Sequence, residues 1–196
     1  MEACRLTATQ LACRRGGRLL FRSLSLSLSS GDAAHVAGPN GTGKSSLIRI
    51  LAGLLSPFTG TVERAGAVAL LDERPALDED RPLARALDFW RAIDRADTSP
   101  AAELGLADLV DVPVRYLSTG QRKRAAIARM MGQRAPIWLL DEPLNGLDGM
   151  AVRQVERLVA EHCRAGGIAV IASHQPFALP GMSEVRIADF QPPSAE

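Results

Sequence analysis

The run Gly38-Pro39-Asn40-Gly41-Thr42-Gly43-Lys44-Ser45 fits G-x-x-x-x-G-K-[ST], the pattern of a loop that cradles phosphate groups. Lys44 is one of only two lysines in a chain otherwise supplied with arginine. A phosphate loop needs a compact ammonium on a flexible stem that reaches between β- and γ-phosphates, where a planar guanidinium is too wide. Gly38, Gly41 and Gly43 lack Cβ atoms and let backbone N–H groups turn inward onto phosphate oxygens. Pro39, Asn40, Thr42, Ser45 and Ser46 complete the candidate nucleotide-binding set. The flanks agree with this reading. Ala33-Ala34-His35-Val36-Ala37 reads as a short buried strand leading in, and Leu47, Ile48, Ile50, Leu51, Leu54 and Leu55 recur at helical spacing afterwards. The pattern aims a helix N-terminus at the phosphates.

A length of 196 residues bounds the chain to one domain, with room for a subdomain and a sizeable core. The net charge of +1 leaves no footprint for nucleic acid or acidic substrates. Cys4, Cys13 and Cys163 are odd in number and lack metal-ligand spacing, so they read as reduced thiols of a cytosolic protein. No signal-peptide pattern is present. Apolar runs such as Ile168 to Ala172 fall far short of the roughly 20 residues that cross a bilayer, so the chain is not expected to span one.

Leu24, Leu26 and Leu28 alternate with Ser25, Ser27 and Ser29, the period of a half-exposed antiparallel strand. Residues 67–71, 137–140 and 168–172 are continuous apolar runs, as buried parallel strands are. Helical patterns separate them and imply a layered α/β core. From Asp72 to Val114 the character changes: Leu83, Ala86, Leu87, Trp90 and Ile93 have helical spacing, and Ser99 before Pro100 reads as a second helix start. The expected division is an α/β core over 1–71 and 115–196 with an all-helical insert at 72–114. The Pro-rich tail from Gln191 to Glu196 is expected to fray.

Leu117-Ser118-Thr119-Gly120-Gln121 opens a helix rich in alanine, with Ser118 and Thr119 able to cap it. Later, Ile137-Trp138-Leu139-Leu140-Asp141-Glu142 gives four apolar residues followed by two acids, the form of a strand that delivers a magnesium-binding aspartate to its C-terminal edge. With these motifs the chain resembles, essentially end to end, the ATP-binding subunits of ABC transporters. Leu117 to Gln121 looks like their signature loop, with Thr119 where glycine is usual. Asp141 matches the Walker B aspartate, Glu142 the catalytic glutamate, Leu147-Asp148 the D-loop and His174 the switch histidine.

The resemblance implies a P-loop NTPase fold of the ABC type, with an N-terminal antiparallel β subdomain and a small helical insert. It also implies a homodimer in which each ATP lies between one subunit's phosphate loop and the other's signature loop. Magnesium is expected on Ser45 and Asp141, charge stabilisation from Lys44, proton acceptance from Glu142 and γ-phosphate sensing by His174. Ser118, Gly120 and Gln121 are expected to act in trans on the partner's nucleotide, and Asp148 at the interface.

Two places depart from the family. Where an aromatic residue usually stacks on adenine this chain has Arg14-Arg15-Gly16-Gly17, so either Arg15 stacks its guanidinium on the base or the arginines are solvated in a turn. Where a glutamine is usual after residues 67–71, the chain reads Asp72-Glu73-Arg74-Pro75. An acid or Arg74 then fills that role, or hydrolysis is slow and loosely coupled. The basic run Arg122-Lys123-Arg124 reads as a solvated helix face rather than a nucleic-acid contact.

Within the class, the short ATPase subunits of cytochrome c maturation, heme-exporter ATP-binding subunits, are the most similar. Residues 11–21, 138–148 and 166–176 carry that likeness. It implies ATP-driven heme delivery by a peripheral subunit on the cytoplasmic face of a bacterial inner membrane, held there by an integral-membrane permease. An ATPase subunit of another importer or exporter, or a nucleotide-gated module that barely hydrolyses, are the competing readings.

Overall fold

The computed structural model describes residues 3–96 and 100–192. Its frame is two sheets. Strands β1 (Arg5–Arg15), β2 (Arg18–Ser29) and β4 (Thr59–Ala65) form an antiparallel sheet in the order β2-β1-β4. Strands β3 (Ala33–Ala37), β5 (Val68–Leu71), β6 (Ile137–Asp141), β7 (Ile168–Ser173) and β8 (Ser183–Arg186) form a parallel sheet in the order β5-β6-β7-β3-β8. The expected period-2 pattern holds along β2, whose Leu24, Leu26 and Leu28 are buried and whose serines face out. The hairpin joining β1 to β2 turns on Gly16 and Gly17, both at positive φ, as the tight turn between right-twisted strands requires.

The parallel sheet is covered on both faces, which is why β6 and β7 are buried along their whole length. Helix α1 (Lys44–Ala52) and the antiparallel sheet cover one face, packing on Ile137, Leu139, Ile168 and Val170. Helices α2 (Leu83–Asp94), α3 (Thr119–Gly132) and α4 (Gly149–Arg164) belong to the other side's core, with Ala69, Leu71, Leu140 and Ile171. Each large aliphatic side chain moved from water into these layers contributes about 2 kcal/mol.

Two helical expectations are corrected. Helix α1 stops at Ala52, because Gly53 turns left-handed at φ +80° and Leu54 N–H folds back to Arg49 O at 2.8 Å; Leu54 is consequently exposed rather than part of the apolar stripe. The Arg64 guanidinium from β4 closes the same end on Leu51 O at 2.6 Å and Ile50 O at 3.1 Å. The second helix of the insert does not form over the described residues from Pro100, and Ser99 lies outside them. Leu104 N–H reaches Pro100 O at 3.2 Å, but Gly105 then goes left-handed, and Leu104 and Leu106 are both fully buried. Residues two apart point to different sides of a helix, so burying both requires the turn instead. The tail beyond residue 192 likewise lies outside the described residues.

Helix α2 is tied to its neighbours by Trp90, whose indole N–H donates to Ala76 O and whose ring lies 4.0 Å from the Arg129 guanidinium of α3. Backbone bonds Leu83 N–H to Val112 O and Val114 N–H to Arg81 O close the insert around a single bridge at Pro82 and Pro113. No regular strand occurs there among the described residues. All three cysteines are free and buried.

His162 of α4 is held between Trp138, stacked at 3.8 Å, and Gly167, where an added Cβ would come within 2.2 Å of the imidazole. Burial pushes the His162 pKa below its usual 6.5, against the opposing pull of the Ile168 and Pro136 carbonyls. A folded pKa below the unfolded one means stability is present above the unfolded value and is lost as pH falls toward the folded one. The melting temperature is therefore expected to drop as pH is lowered below about 6.5, and the His162→Gln variant should show a shallower drop. Identical pH slopes for parent and variant would contradict this.

Candidate functional site

Every element of the parallel sheet that carries a predicted site residue ends at the same edge. Register pairs Ala37 with Ser173, Asp141 with Ala172, and Leu71 with Leu140, so the segments after β3, β5, β6 and β7 emerge together. Such a carboxyl edge is where open α/β sheets bind ligands. The phosphate loop leaves β3 and runs into α1, whose N-cap is Gly43 at φ +111° with no side-chain cap and no acid in the first turn. The first N–H groups of α1 are thus left for an anion to satisfy. No side chain fits at Gly38: a Cβ there would lie 2.9 Å from Ile187.

The loop's own bonds hold its shape. Thr42 Oγ1 donates to Pro39 O at 2.8 Å, and the Lys44 ammonium donates to Gly38 O at 2.8 Å and Pro39 O at 3.1 Å. Lys44 is only 5% exposed, and its charge is met by Glu142 Oε1 at 3.2 Å. The other carboxylate oxygen, Oε2, accepts from His174 Nδ1 at 2.9 Å. Oε1 makes no directed hydrogen bond although it lies beside the ammonium, so it is paired by charge alone and keeps lone pairs free. Lys44, Glu142 and His174, far apart in sequence, form one contiguous cluster.

Asp141 stands immediately before Glu142 and is 2% exposed. Burial pushes its pKa up, the Ser45 hydroxyl hydrogen bond pulls it down, and the charge of Glu142 pushes it up again. Its Oδ1 is buried without a hydrogen-bond partner. A buried carboxylate with a spare oxygen beside a serine hydroxyl suits a hard cation, which takes oxygen ligands. Among the described residues no group of three or more His, Cys, Asp or Glu is gathered for a metal, so such a cation draws most of its ligands from elsewhere.

A cleft of about 510 Å³ opens over this cluster, lined among others by Arg15, Lys44, Ser45, Ser46, Glu73 and Glu142. The two arginines of the hairpin part company. Arg15 borders the cleft, whereas Arg14 bonds to Gly17 O at 3.3 Å and lies 5.8 Å from the Phe58 ring. Ser118, Gly120, Gln121 and Asp148 do not line this cleft. Ser118 caps α3 and forms a capping box with Gln121, Ser118 Oγ accepting from Gln121 N at 3.2 Å and Gln121 Oε1 from Ser118 N at 2.8 Å. Gly120 packs so closely that a Cβ would lie 2.7 Å from Gly146 O, joining the start of α3 to the loop before α4. Asp148 caps α4 by accepting from Met150 and Ala151 N–H, and the Ala151 bond in particular holds its carboxyl low.

Sequence reasoning missed several contributors. Leu20 and Asn145 also line the cleft; both fall in stretches that carry the family likeness, but neither is assigned to the site from sequence. The basic run is not a solvated face. Lys123 donates to Glu142 O at 3.1 Å and Arg124 to Leu104 O at 3.0 Å, so both charges are spent on backbone carbonyls. The scarcity of lysine, which singled out Lys44, singled out Lys123 equally.

The ABC transporter family profile matches residues 21–145, so this chain belongs to that family, among its ATP-binding subunits. Relatives narrow the assignment. The chain is 62% identical over 192 residues to the cytochrome c biogenesis ATP-binding export protein CcmA of Novosphingobium aromaticivorans, covering 98% of this chain and 100% of that one. It is 51% identical over 179 residues to the protein of the same name from Sphingopyxis alaskensis, covering 89% and 92%. A solved ATP-binding subunit of an ABC transporter superposes with a TM-score of 0.75 at 22% identity, over 86% of this chain and 79% of that one, a likeness of fold. By these identities the chain falls among the cytochrome c biogenesis ATP-binding export proteins.

Because Lys44 is buried among two carbonyls and a carboxylate, Lys44→Ala is expected to weaken ATP binding tenfold or more, about 1.4 kcal/mol, and Lys44→Arg should not restore it. Titration calorimetry gives the answer. Unchanged affinity in both variants would contradict the phosphate-loop assignment.

Proposed function

We propose that this chain hydrolyses ATP to energise heme export or delivery during c-type cytochrome biogenesis. In this reading two copies enclose two ATP molecules and dock on an integral-membrane permease at the cytoplasmic face of the bacterial inner membrane. The single observation that carries the catalytic part is the Lys44–Glu142–His174 cluster at the sheet's carboxyl edge. The names and lengths of the relatives support the biological part. No helix among the described residues is long and apolar enough to cross a membrane, which agrees with attachment through a partner.

In the proposed chemistry, Lys44 and the N–H groups opening α1 bind the phosphates. An ammonium drawn onto phosphate leaves Glu142 Oε1 free to accept the proton of an attacking water. His174 holds Oε2 and so fixes the carboxylate's direction, with its second ring nitrogen left for the γ-phosphate. Magnesium would be held by Ser45 and Asp141; when bound it neutralises phosphate charge. Arg15 is proposed to stack on adenine, and Ser118, Gly120 and Gln121 to close over the partner's nucleotide from the tip of α3, with Asp148 in the loop that meets it.

Nucleotide-gated assembly without appreciable turnover is favoured only by the acids and arginine at 72–74, and the engaged Glu142 and His174 speak against it. Glu142→Gln is expected to keep ATP affinity, cut hydrolysis by about 10²-fold or more and accumulate an ATP-bound dimer by size-exclusion chromatography. A variant that hydrolyses at the parent rate would remove Glu142 from the chemistry. For the biological role, the parent chain is expected to restore heme-stained c-type cytochrome to a bacterium lacking its own such subunit, and Glu142→Gln to fail. Restoration by both, or by neither, would contradict the proposal.

A further inference from the structure

Glu142 has an uncommon backbone. Its φ is +47°, a left-handed conformation that a side-chain-bearing residue rarely adopts and that persists only where the surroundings over-determine it. One end of the residue is secured by its N–H, which donates to Ala172 O on β7 at 2.8 Å. The other end is harder to secure. Pro143 follows, so the peptide between 142 and 143 has no N–H, and the Glu142 carbonyl is its only polar handle. Two donors share that carbonyl, Lys123 Nζ at 3.1 Å and, more weakly, the Asn145 N–H at 3.4 Å.

Lys123 reaches the carbonyl from α3, and the residue also borders a groove of about 520 Å³ walled by Asp72, Glu73 and Arg74. Burial pushes the Lys123 pKa below its usual range, and the charges of Asp141, Glu73, Glu142 and Asp72 oppose that shift. Thus the two lysines of the chain hold one residue at two points, Lys44 by its carboxylate and Lys123 by its carbonyl.

We propose that Lys123 is a positioning residue for hydrolysis, holding the Glu142 main chain in the conformation that presents its carboxylate to the attacking water. The proposal rests on Glu142 being the base. It also gives the segment 72–74 a physical link to the site in a chain without the usual glutamine, since movement of Asp72 or Glu73 changes the field that holds the Lys123 ammonium.

The test uses the full chain as Lys123→Met, Lys123→Arg, Glu142→Gln and the Lys123→Met/Glu142→Gln double variant. Lys123→Met is expected to lower kcat about tenfold or more with ATP affinity within threefold of the parent. Lys123→Arg, which keeps charge and donor, should recover most of the rate, and the double variant should be no slower than Glu142→Gln alone. A merely structural lysine would lose ATP affinity and melting temperature along with kcat, and its effect would multiply that of Glu142→Gln; either result overturns the proposal. Parent-like kcat in Lys123→Met also overturns it. Parent-like kcat in Glu142→Gln instead removes the base itself, which separates the two failures. If Lys123→Met does not fold, Lys123→Gln is measured in its place and judged by the same outcomes.

Discussion

A buried carboxylate between an ammonium and an imidazole governs this molecule. Glu142 is 8% exposed, with Lys44 at 3.2 Å and His174 at 2.9 Å. Such a pair is poor evidence for stability, because desolvating two charges offsets much of their attraction, whereas removing one partner commonly costs about 3–5 kcal/mol. The arrangement makes sense as a poised one. Lys44 has three acceptors close by, and in the proposed chemistry phosphate oxygens would compete for the same ammonium, which would tie occupancy of the loop and availability of Glu142 to one atom.

The rest of the fold serves that geometry. Three parallel strands bring Gly38, Asp141 and His174 to one edge, and the layers on either face keep the strand ends from shifting. Helix α1 supplies unpaired N–H groups, and α3 supplies both the Ser118 cap at its tip and Lys123 one turn further along. The insert is pinned to α3 through Trp90 and Arg129 and to residue 76 through the indole N–H, so the segment after β5 is braced on both sides.

Much of this was legible from the residues. The continuous apolar runs gave the buried parallel strands because a doubly covered sheet leaves no polar face, and the serine alternation of β2 gave the half-exposed one. The phosphate loop, Asp141, Glu142 and His174 were legible because phosphate chemistry restricts residue type and spacing together. Local rules failed where tertiary demands prevailed. Leu54 continues a helical period yet lies past Gly53, and Leu104 with Leu106 needed a turn that no period announces. The Arg122-Lys123-Arg124 run looked like a solvated face because pattern does not reveal carbonyls presented by a distant loop, and the partners of Lys123 lie 19 residues away.

The most direct measurement is a structure of the chain with magnesium and a non-hydrolysable ATP analogue. The expected result is the Lys44 ammonium on the β- and γ-phosphates and away from the Gly38 and Pro39 carbonyls, with Glu142 Oε1 within hydrogen-bond distance of a water in line with the γ-phosphorus. An ammonium still on those carbonyls and on Glu142, with the phosphates bound elsewhere, would contradict it.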